Sequence, residues 1–142
     1  MSIKNNPYPH LLPEDVPVWE RFLEAHGAEF FSIKYDVRVG KGRPLSENNT
    51  SNMKKMALML SQRRIDAVAL SRAGIHLIEI TRRGDLKAIG QLESYPLLYK
   101  DRFDPRAKII PLLVCEELES DIELVLEQKQ IEYVLFPDKE KL

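Results

Sequence analysis

The stretch RIDAVALSRAGIHLIEIT, residues 64–81, leaves this chain few choices. Two runs of Ile, Val, Leu and Ala flank Arg72-Ala73-Gly74, the pattern of two strands joined by a tight turn. Each run carries one carboxylate, Asp66 in the first and Glu79 in the second. With a two- or four-residue turn, Leu70 lies opposite Ile75 and Asp66 falls directly opposite Glu79. A shift of two still leaves the acids on one face, because strand side chains alternate, and only an odd-length turn separates them. Like charges across a strand pair cost roughly 0.2–1 kcal/mol, and more as water leaves. The segment HLIEI is apolar on both parities, which puts the second strand in the interior of a sheet. Three things relieve such a pair of acids: a shared proton, an arginine such as Arg64 or Arg82, or a bound divalent cation.

The flanking segments supply the layers that such a hairpin needs. Residues 1–12, with two prolines and paired asparagines, read as an irregular arm. PEDVPVWERFLEAHG has Pro13 and two acids at its start and Gly27 as a stop, so it reads as a helix with Val18, Trp19, Phe22 and Ala25 inward. FFSIKYDVRVG alternates, placing Phe31, Ile33, Tyr35, Val37 and Val39 on one face of a strand. KGRPLSENNTSN is a loop, and MKKMALMLSQ is a short helix whose Met53, Met56 and Met59 form a core stripe. After the hairpin, DLKAIGQLESYPLLYKD is helical, with Leu86, Ile89, Leu92 and Pro96-Leu97 inward and Pro96 a source of a kink or an early end. AKIIPLLVC is a strand in which Pro111 calls for a bulge or an edge. ELESDIELVLEQKQ is an amphipathic helix and IEYVLF a last strand. This order predicts an α/β fold, a central mixed sheet flanked by helices, in a single domain over residues 1–142.

Composition narrows the partners. A net charge of −1 gives no global field for nucleic acid or anionic membrane, so any such contact needs a local basic patch. No apolar run is long enough to span a bilayer, and the N-terminus lacks an apolar core of signal-peptide length. Cys115 stands alone, which excludes an internal disulfide and suits a reducing, cytoplasmic compartment. The three histidines are scattered without zinc-ligand spacing, and GKGRP at 40–44 lacks the rest of a phosphate loop.

Asp85 is placed to cap the helix that follows the hairpin. Lys87, Gln91 and Tyr95 then stack at i, i+4 and i+8. Lys87 sits in the first turn, where the helix dipole disfavours a cation by about 0.3–1 kcal/mol. A lysine held there beside two carboxylates suits phosphate chemistry; the alternative is an ordinary exposed lysine.

Together RIDAVA, HLIEIT and AIGQLESY resemble the PD-(D/E)XK nuclease superfamily, in its RecB-like or lambda-exonuclease-like branch with a Gln-x-x-x-Tyr helix motif. The resemblance implies a restriction-endonuclease-like αβββαβ core with a C-terminal αβ addition. It implies that Asp66, Glu79 and the Ile80 main-chain carbonyl hold Mg²⁺ or Mn²⁺, and that Gln91 and Tyr95 order the site or touch the nucleic acid. Glu20 falls loosely where some members carry an additional acid. The family's lysine is replaced by Thr81, which cannot supply positive charge to a transition state; Lys87, or else Arg82 or Arg83, is the substitute. Arg63, Arg64, Arg82 and Arg83, with Lys54 and Lys55 and extended by Lys41 and Arg43, form a strip for a phosphate backbone unless they merely neutralise the acids. Two functions stay open: a metal-dependent DNA nuclease, or an inactive module of the same fold that binds nucleic acid or docks in a larger assembly, for example a viral or mobile-element one. The sequence leaves the oligomeric state open.

Overall fold

The computed structural model describes residues 7–42 and 48–138. Its chain order is α1 (Val16–His26), β1 (Ser32–Val39), α2 (Ser51–Ser61), β2 (Arg63–Ser71), β3 (Gly74–Gly84), α3 (Leu86–Phe103), β4 (Ile109–Leu118), α4 (Ile122–Gln128) and β5 (Glu132–Leu135). The strands form one mixed sheet in the order β1-β2-β3-β4-β5. β1, β2 and β3 are antiparallel neighbours, whereas β3, β4 and β5 run parallel through the α3 and α4 crossovers. No helix of the described residues is long and apolar enough to cross a membrane.

The apolar hairpin takes the even-turn register. Leu70 pairs with Ile75 and Ser71 with Gly74. Gly74 has φ 145°, and a Cβ there would collide with the Lys108 carbonyl, so the turn needs glycine. β3 lies between β2 and β4, as its two-sided apolar pattern requires. Pro111 pairs with Leu77 on the β3 side, while β5 pairs with β4 only from Leu112 onward, so the missing N–H faces no strand.

Two layers cover the sheet. Val18, Trp19 and Phe22 of α1 pack on Ala67, Ala69, Ile78, Ile80, Leu112 and Val114. Ala88, Ile89 and Leu92 of α3 pack on Leu113 and Cys115 together with α4, and Tyr95 packs on Val39, Ile65, Val68 and Leu77. Cys115 is fully buried, and burial pushes its thiol up to about 12, which fits inert packing rather than a nucleophile.

β1 departs from simple alternation. Ile33 and Tyr35 join the α1 core, whereas Val37 and Val39 join the Tyr95 core, and Phe31 is exposed. The cause is Asp36, whose φ of 54° rotates the strand by one position. The partner strand turns with it: Ala67, opposite Tyr35, packs on α1, and Ile65, opposite Val37, packs on Tyr95. Asp66 lies at this crossing point.

Three other expectations are corrected. Met53 and Met56 are exposed, so they are not a core stripe; the side chain of Met59 lies outside the described residues. Leu86 and Leu97 also point to solvent, because the buried face of α3 runs through Ala88, Ile89, Leu92 and Tyr95. Pro96 does not end α3, which continues to Phe103 with Leu98 and Tyr99 packed on the core beyond it.

Asp85 caps α3 as expected, its Oδ1 accepting from the Ala88 N–H at 2.9 Å. Asp85→Ala is expected to lower stability by about 1 kcal/mol, read as a shift of the urea midpoint at unchanged slope.

Candidate active site

Where β2 and β3 part, their side chains meet. The ladder ends at Ala67–Ile78, and the next pair in the same register would be Asp66 and Glu79. Instead of a main-chain partner, the Ile80 N–H finds Asp66 Oδ2 at 2.8 Å. The two carboxyl groups are hydrogen bonded to each other. They line a cavity of about 260 Å³, walled by His10, Leu11 and Asp15 on one side and by Lys87, Ala88 and Gln91 on the other. Ile80, Thr81 and Asp85 line it too.

Burial dominates the electrostatics. Glu79 is 9 % exposed, and desolvation, then the charge and hydrogen bond of Asp66, push its carboxyl up to about 9. Asp66 is raised as well, by burial, against the opposing pull of the Ile80 N–H, the Glu79 hydrogen bond and His10. At neutral pH the pair therefore shares a proton. The other Glu79 oxygen, Oε2, is buried without any hydrogen-bond partner. Lys87 faces this pair, and its positive charge favours ionised Glu79.

Among the described residues no arginine clamps the two acids. Arg64 pairs with Asp36 at 3.6 Å, Arg82 with Glu14 and Glu117 at 3.7 and 3.6 Å, and Arg83 with Glu117 and Glu119 at 3.9 and 3.8 Å. Much of the expected basic strip is thereby neutralised by other carboxylates. Arg63 is exposed at the start of β2; Lys54 is half-buried and Lys55 exposed on α2; Arg43 lies outside the described residues.

The Gln91–Tyr95 pair splits between two tasks. Gln91 lines the cavity and donates to the Tyr95 oxygen. Tyr95 is buried and donates to the Arg64 carbonyl at 3.0 Å, so it ties α3 to β2 beside the acids and does not line the cavity. The Thr81 hydroxyl, at the cavity wall, donates to the Arg83 carbonyl at 3.3 Å.

Sequence patterns alone miss two neighbours of the acids. Asp15 precedes α1 but does not cap it. Its Oδ1 accepts from the Arg82 N–H at 2.7 Å, and burial, with Glu14 and Asp66 adding to it, raises its carboxyl to about 6. His10 Nε2 lies 3.0 Å from the Asp66 carbonyl oxygen. Glu20, the acid expected on this helix, is exposed and away from the cavity. The early acids at 14 and 15 are the only signal, and they read equally well as helix-start residues.

The donor set suits a hard cation. Mg²⁺ needs only one or two carboxylates and keeps several waters, and a buried oxygen without a partner beside a second carboxylate is such a donor pair. Among the described residues no group of three or more His, Cys, Asp or Glu forms a closed metal cage.

No protein-family profile and no curated protein matches the sequence. Solved structures do match in shape. EndoMS, in its complex with dsDNA, is 16 % identical with a TM-score of 0.52, over 96 % of this chain and 49 % of that one. A repair endonuclease from Pyrococcus abyssi is 14 % identical with a TM-score of 0.51, over 96 % and 49 %. The chain thus spans about half the length of each of these proteins, at 49 %. With its mixed five-stranded sheet flanked by helices and these endonucleases as structural neighbours, the chain has the restriction-endonuclease-like α/β fold.

Proposed function

We propose that this chain is a metal-dependent nuclease of the PD-(D/E)XK type that hydrolyses phosphodiester bonds in DNA, acting as one nuclease-like domain. The observation that carries the reading is the partnerless, buried Glu79 Oε2 beside Asp66 in a cavity that Lys87 also lines. A buried carboxylate oxygen without a donor is destabilising unless a ligand uses it. In this reading Asp66 and Glu79, with the Ile80 carbonyl, hold Mg²⁺ or Mn²⁺. The bound ion would polarise a phosphate oxygen and acidify water. Lys87 offsets negative charge at the phosphate, while Gln91 and Tyr95 keep α3 seated against the acids. The endonuclease neighbours, one of them bound to dsDNA, support DNA as the substrate class, although at their low identity they speak to fold.

The test is cleavage of supercoiled and linear DNA by the purified protein in Mn²⁺ or Mg²⁺, with EDTA as the blank. Metal-dependent nicking that disappears in Asp66→Ala is expected. No cutting of any DNA form with either metal, by a protein that melts cooperatively, would overturn the proposal. That outcome favours the second reading, a non-cutting module that binds nucleic acid or docks in an assembly. Its one favourable observation is Thr81, a neutral residue already bonded to Arg83 where the resemblance implies lysine.

A further inference from the structure

A second concave surface lies beside the acid pair and carries the opposite charge. Gly40, Lys41 and Gly42 after β1, Ser61 at the end of α2, Arg63 at the start of β2 and Leu98 of α3 line a groove of about 500 Å³. Gly40 and Gly42 have φ of 79° and 70°, the left-handed region that favours glycine. Gln62 Nε2 donates to the Gly40 carbonyl at 2.8 Å, which ties this loop to the start of β2. Among the described residues its lining has two full cations and no acid. Its cations also differ from the other arginines near the acid pair: Arg64, Arg82 and Arg83 each face a carboxylate within 4 Å, whereas neither Lys41 nor Arg63 does so among the described residues.

The groove and the acid pair share a neighbour. The Tyr95 phenol feels the charges of Glu79 and Asp66 and also that of Arg63. Along β2, Arg63 precedes Asp66 by three residues, about 10 Å at the rise of a strand.

We propose that this groove is a second phosphate site, in which Lys41 and Arg63 grip the backbone of the same nucleic-acid strand at a phosphate about 10 Å along β2 from the one presented to Asp66 and Glu79. The inference rests on the nuclease reading for the path of that strand. Guanidinium presents a planar fork to two phosphate oxygens, lysine adds a point charge, and glycines lacking Cβ let the backbone come close. A cationic groove recruits phosphate with no preference for base, which supplies affinity rather than sequence choice.

The experiment is fluorescence anisotropy of a short labelled oligonucleotide, single-stranded and as a duplex, titrated in EDTA across a salt series. Lys41→Ala/Arg63→Ala is expected to bind about tenfold or more weakly, with the slope of log K against log salt reduced by about 1.4–1.8, two phosphate contacts. Arg106→Ala/Lys108→Ala removes the same charge near the far, hairpin-turn end of the sheet and is expected to keep the native slope. Lys41 and Arg63 are both exposed, so folding should persist; Lys41→Gln/Arg63→Gln, checked by thermal melting, repeats the test with polar bulk retained. An unchanged slope in both groove variants, or an equal fall in the control, overturns the groove. If the native protein cuts DNA while the groove variants bind normally, the groove alone is wrong. If binding depends on the groove but nothing is cut, the nuclease reading falls and the groove stands.

Discussion

At pH 8 in EDTA, Glu79→Gln is expected to melt roughly 6 °C above the native sequence, a gain on the order of 2 kcal/mol, and to cut no DNA at all. The sign follows from proton binding. Glu79 titrates near 9 in the fold, against an ordinary value of 4.5. Between those values the folded protein keeps a proton that the unfolded chain has released, so stability falls as pH rises, at most by about 1.4 kcal/mol per unit. Below 4.5 both states hold the proton and the Glu79 contribution is fully present; above about 9 it is lost. Asp66 is shifted the same way and adds to the slope. An amide at position 79 keeps a donor for Asp66 and carries no charge, so the variant's melting temperature should vary less between pH 6 and pH 8. Magnesium should narrow the gap between the two proteins. At ten times its dissociation constant the ion stabilises the native fold by about 1.4 kcal/mol, and the variant, lacking one ligand, should gain less. Melts at pH 6 and pH 8, each with EDTA and with Mg²⁺, decide the matter. A variant no more stable than the native protein at pH 8 in EDTA, or one that gains equally from Mg²⁺, would rule out the two acids as a metal pair.

Those features of the site that depend on local pattern are legible in the amino-acid sequence. Strand alternation places Asp66 opposite Glu79, two-sided apolarity places β3 inside the sheet, and the spacing from Asp85 puts Lys87, Gln91 and Tyr95 on one side of α3. The illegible features come from contacts distant in sequence or from single dihedral angles. Asp15 reaches Arg82 across 67 positions, and His10 reaches Asp66 across 56, with nothing local to announce either. Asp36 is one residue with positive φ, yet it reverses which core the rest of β1 and the start of β2 serve. An alternation rule assumes a uniformly extended backbone and therefore carries Val37 and Val39 onto the wrong side. The basic strip is visible as residue types, but its neutralisation by Glu14, Glu117 and Glu119 depends on how β4 and the segment before α1 meet the end of β3. Helix periodicity fails at Met53 and Met56 for a related reason: a stripe on α2 is buried only if another element covers it, and in the fold both side chains face solvent.

Lys87→Ala is expected to lower kcat by about 10²–10³-fold while leaving DNA affinity in EDTA within a few-fold of native. The lysine sits in the first turn of α3, where the helix dipole works against it, and it is exposed, so the fold gains little from its charge. Its positive field falls instead on Glu79, inside the cavity where the acids converge. A cation so placed acts on charge that develops during the reaction more than on the ground-state duplex, which is why the loss should appear in kcat rather than in binding. Thr81 lines the same cavity from β3, so a lysine introduced there approaches the acids from the sheet instead of the helix. Adding Thr81→Lys to Lys87→Ala should therefore recover a substantial part of the lost rate. Because Thr81 Oγ1 bonds the nearby Arg83 carbonyl at 3.3 Å, the replacement disturbs a weak local contact. Glu79 gives a second readout that does not depend on turnover. Removing Lys87 withdraws a charge that favours its ionised form, so metal binding, which must displace the shared proton, should need a higher pH in Lys87→Ala. Full activity in Lys87→Ala would assign the positive charge elsewhere, with Arg82 and Arg83 next in line. If kcat falls and Thr81→Lys restores it, the cation has moved from strand to helix without leaving the site.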